Sequence, residues 1–458
     1  MQSGDSLNKK MGFWQIWALG VGAVVGDGIF LMVASGAEQA GPSCVIAYAI
    51  AGLMLMCVCM NATELAVGMP VAGSMHDWSK RVLGPRWGVF AAFGNIAMDV
   101  VFLGSVGLGT GYISNYFFMW TDNADVSAVI WGIGLLAVVF VVTLLGGDVT
   151  GKTQLGLIIV LVGIMVVFTV AGILTGNVDR SNYSPFAPFG AKGVILAICA
   201  GTYAYMGPLS LLAAAGEVKN VKIMPKAMFW AFVTIILLYA AAILVCLGLV
   251  NYKEYSTMAS PFTIAAQYVF GNAAGMVLNV AAWIACVTCL IGEIFAVSRL
   301  LYGMSFHGVV PKAFGKVNKR GVPHVGLTVA FVIGVLLLLM GIVPQFENAY
   351  TMLANVACAC GIVCLIITVI ASYAYKKRFP EEYAALPWKL KGKTFFFIIA
   401  LIGCGVLFYS SFISSLETAI CVIVFFVILM LFYQFYAKPN AAKMEREKEQ
   451  AENGKSKE

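Results

Sequence analysis

Early in the chain an apolar stretch is interrupted by four glycines and one acid, in the order Gly20-Val-Gly22-Ala-Val-Val-Gly26-Asp27-Gly28-Ile-Phe30. Glycines this close together loosen a helix and bare its amides. In an apolar medium such backbone is tolerated only where it is buried in protein or lines a wet cavity. An acid at that depth is by default a functional group. The pair of features predicts a broken helix that holds a charged ligand or ion. A second interruption, Ala200-Gly-Thr-Tyr203-Ala-Tyr205-Met-Gly207-Pro208, removes a helical hydrogen bond and frees carbonyls in the middle of another apolar stretch. Further acids fall at Asp99, one turn beyond Asn95 and on the same face, at Glu293, and at Glu64 nearer the end of its stretch. No Lys or Arg lies at comparable depth, so the partner of Asp27, Asp99 and Glu293 is a proton, a metal ion or an organic cation. Carboxyl groups around one cavity share protons, and a bound ammonium would displace them. Each group also has a structural reading: Asp27 as a cap on the amides after Gly28, Glu293 as a protonated core residue, Asp99 as a hydrogen-bonding partner, Glu64 as a structural or gating group. Tyr203 and Tyr205 are either packing aromatics or a cation–π lid beside the break.

The elements that must position these groups follow from composition. Of 458 residues 61% are hydrophobic and 11% charged, and the mean hydropathy is +0.90. Apolar windows bounded by charges or turn residues predict twelve membrane spans, at 13–37, 43–68, 87–119, 127–145, 153–175, 191–216, 227–250, 271–304, 324–343, 347–375, 394–413 and 416–437. With both termini inside, the outer loops hold only Arg180, Lys192 and Lys253 of the 29 Lys and Arg. The net charge of +7 is therefore a signal of topology and not of nucleic-acid binding. The polar start is expected to precede a retained helix, and the mixed-charge tail after Lys438 to be a solvated helix end fading into disorder. His76, His307 and His324 all fall in inner loops, and Cys286-Val-Thr-Cys289 reads as small-residue packing. No cofactor or metal site is expected. Two interrupted spans five apart are the pattern of an inverted-repeat transporter. The expected divisions are 1–175 (tail and first five-span repeat), 176–378 (second repeat), 379–437 (two further spans) and 438–458 (charged tail).

Several motifs resemble one family. Gly22-Ala-Val-Val-Gly-Asp-Gly-Ile-Phe30 is similar to the first-helix signature of the amino acid–polyamine–organocation (APC) transporters. The likeness continues at Ala62-Thr-Glu64 through Ser74, at Gly216-Glu217-Val-Lys219-Asn220, and at Ser298-Arg299-Leu-Leu-Tyr302 through Pro323. It implies an all-α membrane protein with a LeuT-like 5+5 inverted repeat, broken helices 1 and 6, and two extra helices. It also implies transport of amino acids or amines by alternating access. Gly94-Asn95-Ile-Ala-Met98 and Gly111-Tyr112 resemble the basic amino acid/polyamine antiporter subgroup. By that likeness Asn95 lies in the substrate pocket, Glu293 takes the place of a pocket Trp, and Tyr203 takes that of the gating aromatic. The chain departs from the pattern at Asp27, where relatives have Ser or Thr, at Leu209 in place of an acid, and near Leu161, where some proton-coupled relatives carry Lys.

Substrate expectations turn on Asp27. In relatives the amides of this break hold an amino acid's carboxylate, which an ionised Asp27 would repel. The residues expected to bind substrate are Gly22, Gly26, Asp27, Gly28, Asn95, Tyr203, Tyr205, Gly207 and Glu293, with Asp27, Asp99 and Glu293 as proton carriers. They favour a cationic amine of the putrescine, cadaverine or agmatine type, moved by antiport or with protons. The alternative is a cationic or neutral amino acid permease, working as a proton symporter or exchanger. A channel or membrane enzyme would need a filter motif or a nucleophile–base set, and neither is visible. The expected setting is a cell membrane crossed many times with both termini cytoplasmic, by a monomer or homodimer.

Overall fold

In a computed structural model of the chain, residues 10–257, 260–346, 349–413 and 416–455 are described. The first nine residues and the last three, both expected on the inner side, lie outside them. The architecture is helical. Among the described residues the one β-type pairing is a bridge between Met11 and Val218. Nine helical stretches among them are long and apolar enough to cross a membrane, accompanied by three shorter apolar helices.

The first apolar stretch is two helices, α1 (Phe13–Val24) and α2 (Asp27–Ala40), with Val25 and Gly26 out of helical conformation between them. Next come α3 (Cys44–Gly68), the short α4 (Ser74–Leu83), α5 (Pro85–Asn115), α6 (Ala124–Leu144) and α7 (Gly147–Leu174). The second interruption also breaks its helix: α8 (Gly190–Tyr203) stops, and α9 (Leu209–Ala213) resumes after Pro208. Then come α10 (Met224–Leu249), α11 (Pro261–Phe270), α12 (Asn272–Ser305), α13 (His324–Leu338) and α14 (Ala349–Arg378). The series ends with α15 (Pro380–Ala384), α16 (Lys393–Ile413) and α17 (Leu416–Phe432). The tail does not fade where expected: a π-turn at Tyr433–Ala437 leads into α18, which runs from Lys438 to Lys455.

Burial separates centre from rim. Along α12, 89% of the apolar window is inside the protein, against 17% for the stretch that begins with α17. Helix α5 is the other central element and packs on α14, α12 and α6. Its Gly111 lies directly against the Ala128 carbonyl of α6, where no side chain fits. The two breaks meet in the middle. A Cβ on Gly28 would come within 2.7 Å of the Ala204 Cα, so the first turn of α2 rests on the non-helical segment after α8.

At the end bearing the basic loops, two ion pairs are buried. Arg299 of α12 bonds Glu217 at 2.8 Å, with side chains 0% and 4% exposed, and lies 3.6 Å above the Phe295 ring centroid. The Glu217 carbonyl accepts the Met11 N–H at 3.1 Å, which ties the start of α1 to the segment after α9. Glu64 accepts the Tyr383 hydroxyl at 2.8 Å and the Leu390 N–H at 3.0 Å, and it pairs with Lys393. Basic groups are thus buried at this end, though none lines the cavity that Asp27 and Glu293 border. The chain after α14 folds back over the end of α3 and delivers Lys393, which the sequence places in a loop.

Removing one member of a buried pair strands the other charge and costs about 3 kcal/mol or more. Glu217→Gln should therefore lower the thermal midpoint of the detergent-solubilised protein clearly, and the double change Glu217→Leu with Arg299→Leu should recover much of the loss. A single variant melting with the wild type would show that the pair does not hold this end.

Candidate functional site

The site is built where the two helix breaks face α5 and α12. Gly26 precedes α2 and has no side chain to cap it, and the Asp27 carboxyl itself accepts the Asp27 and Gly28 amides at this end. Asp27 opens that turn, and its Oδ2 accepts hydroxyl hydrogen bonds from Tyr203 at 3.1 Å and from Tyr350 at 2.6 Å. Tyr203 is the last residue of α8, and its ring meets Phe102 of α5 edge-on at 5.8 Å. Tyr350 comes from the first turn of α14. Asp27 is therefore not the unpartnered acid that the sequence suggests. Two phenols hold it, and neither lies near it in the chain.

The carbonyls freed by the breaks find one common donor. The hydroxyl of Tyr239, on α10, lies 3.4 Å from the Val24 carbonyl and 3.2 Å from the Ala204 carbonyl. Gly207 takes φ +101°, a region that favours glycine. A Cβ there would run into the Ala23 carbonyl and approach the Glu293 Oε1 to 2.7 Å.

Across from α2 stand two carboxyl groups. Glu293, on α12, is fully buried and lies within hydrogen-bonding reach of Asp99 on α5. Asn95 donates its amide to the Asp99 Oδ2 at 2.6 Å. The other Asp99 oxygen and the Glu293 Oε2 find no donor among the described residues. Two facing acceptors are joined only by a shared proton or by a cation between them.

Between these groups lies a narrow cavity of about 10 Å³, room for about one water. Its polar wall is Gly26, Asp27, Gly28, Tyr203 and Glu293, and its apolar wall is Val24, Phe102, Val106, Ala204, Met206 and Cys289. No Lys or Arg contributes to it. Of the residues singled out from sequence, Gly26, Asp27, Gly28, Tyr203 and Glu293 line the cavity, and Gly207 lies against Glu293. Asn95 and Asp99 stand behind Glu293 instead of on the wall. Gly22 is set apart, packed against Gln154 and Thr288. Tyr205 is also apart, fully buried with its ring 5.1 Å from that of Tyr239. A residue two positions beyond Tyr203 in a non-helical segment points elsewhere, so the two tyrosines do not form one lid.

Sequence reasoning missed Tyr350, Tyr239, Gln154 and the cavity role of Cys289. The Gln154 amide donates to the Thr288 carbonyl at 2.9 Å beside α1. The Cys289 thiol lies 3.6 Å from the Ala23 carbonyl and 4.0 Å from Glu293. One signal was available for the tyrosines: each is a polar-tipped aromatic in an apolar span, and a buried hydroxyl needs a partner. Nothing local said that the partner was a helix break.

Comparison with known proteins agrees with this architecture. Residues 15–446 match the amino acid permease family. The uncharacterized amino acid permease YtnA of Bacillus subtilis (strain 168) is 28% identical, over 93% of this chain and 95% of the relative. The methylthioribose transporter of the same organism is 30% identical over 68% and 70% of the two chains. Its branched-chain amino acid permease BcaP is 24% identical over 82% and 84%. With a family match that spans nearly the whole chain and an all-helical, membrane-spanning structure broken twice around a cavity, this multi-pass protein belongs to the amino acid permease family.

Proposed function

We propose that the chain is a secondary active transporter that carries a small amino acid by alternating access, through twelve spans arranged as a 5+5 inverted repeat with two added helices. The basic loops support an orientation with both termini in the cytoplasm. The observation that carries the substrate reading is the cavity between the breaks. At one side it has the N-terminal end of α2, whose dipole suits a carboxylate. At the other it has Glu293, backed by Asp99, which suits an ammonium. A zwitterion complements both sides. The cavity as it stands has room for about one water, so a ligand enters only when its walls part, and Phe102, Val106 and Met206 then offer an apolar surface to the ligand's side chain.

This reading replaces the preference for a polyamine. That preference assumed an ionised Asp27 facing the ligand's carboxylate, whereas Tyr203 and Tyr350 donate to its Oδ2 and draw that charge away. The names of the relatives, an amino acid permease and a branched-chain amino acid permease among them, also support the amino acid reading. One observation favours a second reading, an amine without a carboxylate: Asp27 and Glu293 border the cavity, Asp99 backs it, and no base does. A thermal-shift screen of the purified protein separates the two, since a ligand stabilises the state that it binds. Neutral amino acids such as valine and leucine should raise the midpoint, with putrescine and butylamine inert. The reverse pattern would establish the amine reading and sink the first.

Coupling is assigned to the Asp99–Glu293 pair, which binds either a proton or the ligand's ammonium. Apparent substrate affinity should accordingly weaken as pH falls, and Glu293→Gln should flatten that dependence. An affinity unchanged across acidic and alkaline pH in the wild type would remove proton competition and leave simple exchange.

Tyr350→Phe tests the role of the tyrosines. It deletes the shorter of the two bonds to Asp27 and returns negative charge to the cavity. Affinity for amino acids should drop about tenfold, the equivalent of one charge-assisted hydrogen bond near 1.4 kcal/mol, while butylamine binding should not fall. Equal losses for both ligands would mean that Tyr350 only supports the pocket.

A further inference from the structure

Far from the cavity, at the end that bears the basic loops, three potential metal ligands converge. His76 and Asp77 lie on α4, and His307 lies in the turn that follows α12. The Asp77 Oδ1 is 2.7 Å from the His76 Nδ1 and 2.8 Å from the His307 Nε2. One ligand atom from each of the three residues can be chosen so that all lie within 4.8 Å of one another. Close packing brings them together: Gly303 of α12 sits directly on Gly73, just before α4, with no room for a side chain. Gly308, at φ +71°, turns the chain immediately after His307.

Hydrogen bonding alone leaves this cluster incomplete. His76 is fully buried, and its Nε2 has no partner among the described residues. The ring borders a cavity of about 180 Å³ beneath α18, whose wall includes Lys80 and Glu445. The fully buried imidazole thus keeps one nitrogen unused at the edge of a space large enough for water or another ligand.

We propose that His76, Asp77 and His307 form a binding site for a divalent transition-metal ion of the zinc type. Two imidazoles and one carboxylate are the donor set that such ions take, and the nitrogens select against Mg²⁺ and Ca²⁺. Bonds of roughly 2.0–2.2 Å in a tetrahedral arrangement place ligand atoms about 3.4 Å apart. The present contacts must open by a little over half an ångström. His307 is 28% exposed in a turn and can supply that movement. A fourth position is left for water from the cavity. Lys80 approaches the His307 Nδ1 at 3.3 Å and Glu445 of α18 at 3.3 Å. Metal on the Nε2 of His307 leaves the ring proton on Nδ1, so Lys80 turns to Glu445. The ion would join α4, the turn after α12 and, through Lys80, the tail helix.

Tag-free, full-length protein in detergent is titrated with Co²⁺, read by its visible absorption, and then with Zn²⁺. The expected result is one Co²⁺ per chain with the spectrum of a low-coordinate site, displaced by Zn²⁺. His307→Gln and Asp77→Asn should each weaken binding on the order of 100-fold while eluting from size exclusion as the wild type does. Lys80→Met should tighten it by removing a competing ammonium. No saturable binding by the wild type would overturn the proposal. So would undiminished binding by the His307→Gln or Asp77→Asn protein.

Discussion

In a bilayer every backbone N–H and C=O must find its partner inside the protein, yet this chain leaves two helices unfinished at their centres. The breaks are tolerated because they meet. Gly28 lets the start of α2 lie on Ala204, and one hydroxyl, that of Tyr239, stands within reach of a freed carbonyl from each break. With Gly26 standing where a Ser or Asp would cap α2, the first amides of that helix turn to the Asp27 carboxyl instead. A carboxyl held by backbone donors and two tyrosines is thereby kept in the middle of an apolar protein, and the other groups of the site are arranged around it.

Buried charge follows the same logic of local compensation. Glu217 has Arg299, and Glu64 has Lys393 with three further donors, Tyr383, Leu390 and Ser372. Asp27 has two tyrosines. The pair Asp99–Glu293 is different, because both of its members are acids, the Asn95 amide and the Cys289 thiol are the donors that reach it, and one oxygen of each carboxyl finds no donor among the described residues. Its Glu293 lines the cavity together with Asp27.

Helices α5 and α12 are central and deeply buried, and they carry the acid pair. Helix α1 packs on α10, α7 and α12, and at the basic-loop end Met11, Glu217 and Arg299 tie its start to the segment after α9.

Composition and loop charge by themselves determine that this chain is helical and crosses a membrane repeatedly, because no soluble core of this length needs so much apolar surface. The breaks at Gly26 and at Gly207-Pro208 are legible for a local reason: glycine and proline act on the backbone of their own segment. So is the cost of burying Asp27 and Glu293, since an acid in an apolar span is costly wherever it stands. Tertiary structure decides the partners. Tyr350 meets Asp27 across 323 positions of sequence, Lys393 meets Glu64 across 329, and Tyr205 turns away from a site that Tyr203 faces. Hydrogen bonds and ion pairs act over a few ångströms whatever the separation along the chain. Which polar group compensates which charge, and hence which charge remains for a ligand, is settled only when the helices pack.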